Sequence, residues 1–73
     1  MRLGDCALGH RARVVRVDGE PTLAQRLMEL GIVEGVEIEV IGVAPLGDPI
    51  QVSVDRTRLS IRRGEARAIH LSE

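Results

Sequence analysis

Three side chains in this 73-residue sequence carry the chemistry of a borderline transition metal: Cys6, His10 and His70. Cys6 and His10 stand close together near one terminus, and His70 lies near the other. If the first and last strands of the fold are neighbours, a thiolate and two imidazoles would converge on a site suited to zinc. No CxxC or HxxxH pair reinforces that set. The competing reading makes Cys6 a small apolar filler and leaves both histidines on the surface. Catalysis has less to draw on. A GxSxG elbow, an HExxH helix and a P-loop are all missing. Glu29, Glu34, Glu37 and Glu39 supply carboxylates, but alternation places Glu37 and Glu39 on a solvated strand face. A general acid or base needs a shifted pKa, and large shifts come from burial in a cleft. A chain this short has little volume for both a core and a cleft. The sequence therefore predicts no enzyme and no cofactor.

Composition narrows the partners. Hydrophobic residues make up 44% of the chain and charged ones 29%, which is too apolar for a disordered tail. No Phe, Tyr or Trp is present, so base-stacking platforms and the aromatic groove for proline-rich peptides are excluded. All 10 basic residues are Arg, and 11 acids bring the net charge to −1. Nucleic-acid binding is not expected, because a near-neutral domain lacks the charge that drives counterion release. One cysteine allows no internal disulfide. Asp5, His10, Arg11 and Arg13 break up any signal peptide, and no apolar run is long enough to enter a bilayer. A cytoplasmic protein without membrane insertion is the expectation. Charge is unevenly spread, however. Residues 20–48 carry six acids against Arg26 alone, whereas residues 49–73 carry five arginines against three acids. If the first, fourth and fifth strands adjoin, the arginines gather on one side, which would orient docking on a partner. A merely solvated surface is the alternative.

The elements that must position these residues follow from periodicity. Leu3 and Leu8 are available as plugs in the lead-in. Arg11–Val17 reads as a strand with valines on both faces, closed by the Asp18-Gly19 turn. In Pro21–Gly31 the period changes, and Leu23, Leu27 and Leu30 form one helical stripe. Thr22 and Gln25 fit a capping box, and Gly31 fits the left-handed position after the helix, with Ile32 closing the contact beyond. Met28 lies off the stripe, beside Arg26. From Val36 the period is 2: Val36–Val43, Ile50–Val54, Leu59–Ile61 and Ile69–Leu71 alternate, separated by breaks at Pro45–Pro49, Asp55–Thr57 and Arg63–Glu65. Five short strands with tight connections predict a mainly β fold, a small SH3-like five-stranded barrel over residues 1–73. One short helix is inserted between its first two strands. Neither repeats nor linkers interrupt it. Gly47 permits a tight turn in the Pro45–Pro49 loop, and Pro49 holds Asp48 extended, leaving Leu46 at the tip either as a displayed docking residue or as support.

The runs RLMELGIVEG (Arg26–Gly35), VAPLGDPI (Val43–Ile50) and LSIRRGEARAIHL (Leu59–Leu71) resemble FeoA, the small cytosolic component of bacterial ferrous iron uptake. Met1–His10 departs most from that pattern. The resemblance implies an SH3-like barrel with an inserted helix and no catalytic residues to transfer. It also implies association with the cytoplasmic region of the membrane GTPase permease FeoB. It makes Leu27 a position where that association is sensitive, through contact or through folding. The partner-binding candidates are thus Arg26, Leu27, Met28, Leu46 and Asp48, beside the metal candidates Cys6, His10 and His70. A homodimer stays open. The alternative function is a metal-sensing or regulatory SH3-like module related to the C-terminal domain of iron-dependent repressors. No DNA-binding helices precede the barrel here, so the repressor reading fits poorly.

Overall fold

Alternating aliphatic and polar residues build the sheet of this computed structural model, which describes residues 1–73 throughout. The strands are β1 (Arg11–Val17), β2 (Glu37–Val43), β3 (Ile50–Val54), β4 (Thr57–Ile61) and β5 (Ile69–Leu71). Helix α1 (Pro21–Glu29) is inserted between β1 and β2, and a one-turn helix α2 (Arg63–Ala66) joins β4 to β5. All pairings are antiparallel, in the order β4-β3-β2-β1-β5. Aliphatic residues face each other across the strands: Ile38 opposes Val54, Val40 opposes Val52, and Ile50 opposes both Val43 and Ile61. Each opposed pair buries apolar area on one face and pins the register. The Asp55-Arg56 link has positive φ at both residues, 49° and 68°, which is the geometry of a two-residue hairpin. Thr57 already pairs with Val54, so the connection is tighter than a three-residue turn.

Strand β1 shapes the barrel. Its first half pairs with β2 (Arg11 with Glu39, Ala12 with Ile38, Arg13 with Glu37), and its second half pairs with β5. A bulge between Val14 and Arg16 marks the handover, and such an extra residue bends a strand and raises its twist. The result is the curled SH3-like plan that the strand pattern predicts. First and last strands adjoin as expected, but β4 ends the sheet at the far side from β1 and β5. Nor do the valines of β1 bury both faces. Val14 is buried and Val17 packs against the core, while Val15 is exposed.

The core holds thirteen aliphatic residues and no polar or charged one. Leu3 reaches it from a 3-10 turn over Leu3–Asp5, whereas Leu8 stays outside instead of plugging the barrel. Leu27 anchors α1 there with no exposed surface, and Leu23 is partly buried beside it. The helix starts where the sequence places it, by a different device. Glu20 is the N-cap, without a capping side chain, and Pro21 takes the first helical position, where a missing N–H costs nothing. The Thr22–Gln25 capping box does not form, because both residues already lie inside the helix. Its end is as expected. Gly31 has φ +94°, its N–H bonds to the Met28 carbonyl at 2.9 Å, and the Ile32 N–H bonds to the Leu27 carbonyl at 3.0 Å. Buried Ile32 then packs beyond the end, a Schellman arrangement. Neither helix is long and apolar enough to cross a membrane.

Candidate functional site

Among the exposed large hydrophobic residues, two fall on sequence candidates. Met28 is about half exposed and lines a shallow groove of about 300 Å³ between α1 and β1, with Val17, Ala24, Ile32 and Val33. Leu46 is 96% exposed, the extreme for a large hydrophobic residue in this chain. Water gains nothing from a leucine in that position, so its display is held by other bonds.

Those bonds are visible. Within the loop, the Gly47 N–H bonds to the Ala44 carbonyl at 2.7 Å and the Ala44 N–H to the Pro49 carbonyl at 3.1 Å. Gly47 has φ +86°, a conformation that side-chain-bearing residues adopt at a cost. Arg63 then latches the loop from α2. Its Nε donates to the Gly47 carbonyl and its terminal nitrogen donates to the Gly4 carbonyl at 2.9 Å. The Arg63 backbone N–H, one of the unpaired donors at the start of α2, is received by Asp48 Oδ1 at 3.1 Å. Asp48 Oδ2 also lies 3.9 Å from the Arg62 guanidinium. Asp48 therefore ties the loop to α2 through Oδ1, while its carboxylate stays partly exposed.

The same network reaches α1. Glu65 accepts from the Arg26 guanidinium with one carboxylate oxygen and from the Arg62 N–H, at 3.0 Å, with the other. Arg26 is half exposed and offers a partner a charge that is already paired. Leu27 is a correction. Its side chain has no exposed surface, so it is not a contact residue of the folded chain, and an effect of changing it on a partner would act through the fold. Arg63–Glu65, expected as a simple turn, forms α2, and its latching role escaped the sequence reading. A single helical turn leaves no periodicity to detect.

The metal candidates are not brought together. His10 precedes β1, at the end that pairs with β2, where its carbonyl accepts the Val40 N–H. His70 pairs with Arg16 at the other end of β1. Adjacent strands thus fail to join these two side chains. His70 Nε2 lies 2.6 Å from Asp18 Oδ2, while His10 Nε2 is buried without a hydrogen-bond partner. Cys6 Sγ sits 3.4 Å from Met1 Sδ. Burial pushes the Cys6 thiol up in pKa, Asp5 adds to that, and the N-terminal ammonium opposes it. A raised pKa leaves less thiolate, the form that binds metal. No group of three or more His, Cys, Asp or Glu side chains is arranged to hold a metal ion.

Charge segregation is also weaker than the sequence suggests. Arg11 with Glu39 (4.0 Å), Arg26 with Glu65 and Arg62 with Asp48 each tie the acidic middle of the chain to a basic segment or the reverse.

Fold and exposed features together define a small SH3-like domain that displays apolar side chains at Met28 and Leu46. The chain belongs to the FeoA family: the family model for the FeoA domain matches residues 1–73. That family is an accessory of ferrous iron transport. Among similar proteins is an Fe(2+) transport protein A/Fe(2+) transporter FeoB fusion protein of Porphyromonas gingivalis, 37% identical over 71 residues. The match covers 97% of this chain and spans only 8% of the fusion's length. The solution structure of FeoA from Chlorobium tepidum is similar at 44% identity and a TM-score of 0.91, covering 97% of this chain and 68% of that one. A crystal structure of Stenotrophomonas maltophilia FeoA complexed with zinc, described as a prokaryotic SH3 domain protein, is similar at 33% identity and a TM-score of 0.86. It covers 99% of this chain and 89% of that one.

Proposed function

We propose that the domain is a non-enzymatic accessory of ferrous iron uptake that binds the cytoplasmic region of a FeoB-type GTPase permease and modulates its transport. One observation carries this reading: a relative of this chain is joined in one polypeptide to a FeoB transporter. Such a fusion raises the effective concentration of two modules that already act together. The surface supports it, since Met28 and the latched Leu46 offer apolar anchors without the aromatic groove other SH3-like barrels use for proline-rich peptides. A preorganised anchor loses little entropy on docking. The S. maltophilia relative, described as a candidate transport activating factor, agrees with modulation. The decisive experiment is a pull-down of this chain with the permease's cytosolic domain, without nucleotide, with GDP and with a GTP analogue. Binding in at least one state, weakened by Leu46→Glu or Met28→Glu, is expected. No binding in any state sinks the reading.

A further inference from the structure

The β2–β3 hairpin carries Leu46 at its loop. Its opposite end holds a larger feature, where β2 begins, β3 ends and α1 terminates. A groove of about 730 Å³ opens there between the C-terminal end of α1 and the Asp55-Arg56 turn. Its apolar lining comes from Leu30, Val33, Val36 and Val54, of which Leu30 and Val33 are over a third exposed. Glu29, Glu37, Glu39 and Asp55 rim it, against the single cation Arg56. Glu39 alone among these carboxylates has an ion pair, the long contact to Arg11, and Glu29 meets only the Gln25 amide. The α1 carbonyl end adds negative potential on the same side. Part of the acid excess of residues 20–48 is thus left unpaired around a trough of mixed polar and apolar lining.

We infer that this groove receives a basic segment with interspersed apolar residues, contributed by the transporter next to its membrane spans. The inference rests on the proposed transporter binding and names the part that is bound. Charge complementarity carries it. Segments flanking membrane spans on the cytoplasmic side accumulate Lys and Arg, and an extended or helical stretch of that kind fits a trough better than a flat protein face does. The rival occupant is the Leu46 loop of a second copy. Its nearby arginines are already engaged, Arg63 with Gly47 and Gly4, and Arg62 with Asp48. Its cations already have partners of their own, so it gains less from the carboxylates than an unpaired basic segment does.

The test measures binding of this chain to the whole transporter in lipid nanodiscs, and to a transporter whose span-flanking Lys and Arg are replaced by Gln. Glu29→Gln/Glu37→Gln/Asp55→Asn should bind about tenfold more weakly than the unchanged chain. Arg56→Gln should bind more tightly. Neutralising the transporter segment should weaken binding of the unchanged chain and add little to the triple variant, since both remove the same interaction. That partner-side substitution leaves this chain's folding untouched. Equal binding by the triple variant overturns the groove assignment while transporter binding stands. Self-association lost in the triple variant, with transporter binding unchanged, overturns it in favour of a second copy. No binding by the unchanged chain removes the underlying reading itself.

Discussion

Leu27 and Met28 are neighbours in the chain and opposites in environment: the first has no exposed surface, the second is about half exposed. Leu27→Ala should cost about 2–5 kcal/mol through lost burial and the cavity left behind. Met28→Ala should stay within about 0.5 kcal/mol. Urea unfolding followed by circular dichroism measures both. If Leu27→Ala lowers permease binding, the loss should track the folded fraction, whereas Leu46→Glu should lower binding with the urea midpoint unchanged. Cys6 gives a second residue-scale prediction. Because burial and Asp5 raise its pKa, the thiolate is scarcer than in an unfolded chain at neutral pH. Alkylation by iodoacetamide should be slower in the folded protein and accelerate in urea. Equal rates would contradict the desolvated thiol. Leucine spacing made the burial of Leu27 legible, although Leu30 on the same stripe is over a third exposed. Asp48's role was not, because its partner is a backbone N–H fifteen positions away.

At the scale of elements, the sequence marks where α1 stops better than how it starts. Gly31 was legible because only a left-handed residue allows the Ile32 return, and φ +94° agrees. The start rests on Pro21 instead of a capping side chain, so the Thr22–Gln25 pattern misled. Gly31→Ala is expected to cost about 1 kcal/mol, read from the urea midpoint. An added Cβ there meets no atom within 4 Å, so the cost is purely conformational. The latch gives a different result. Arg63→Ala removes the donors to Gly47 and Gly4, which lie at an exposed surface. Global stability should change little, while the Gly47 and Ala44 amides exchange faster with deuterium. Unchanged exchange would show that the loop holds Leu46 out unaided. Alternation revealed the strands, but one-turn α2 and its link to a loop fifteen residues earlier are tertiary facts that leave no local period.

For the whole molecule, strand count and curl were legible, but strand order was only half so. Adjacency of β1 and β5 follows from the SH3-like plan. The bulge that hands β1 from one neighbour to the other, and so separates His10 from His70, has no signature in RARVVRV. The same distance between sequence and structure applies to charge. Blocks of opposite sign suggested two faces, yet ion pairs cross between the blocks. Salt therefore separates what holds the fold from what holds a partner. The core is wholly apolar, and every arginine–carboxylate pair is at least partly solvated. Such pairs contribute about 0–1 kcal/mol each, and screening also relieves the repulsion among the acids of residues 20–48. Raising NaCl to about 1 M shortens the screening length to about 3 Å. The two effects oppose each other, so the melting temperature should then move by less than about 8 °C, since about 1 kcal/mol corresponds to about 4–8 °C in a domain this small. Association through an acidic groove should fall with salt over the same range, mainly through slower encounter. A scanning-calorimetry series beside binding at matched salt reads both quantities. A melting temperature that collapses with salt would mean that the ion pairs, and not the aliphatic core, hold this barrel together.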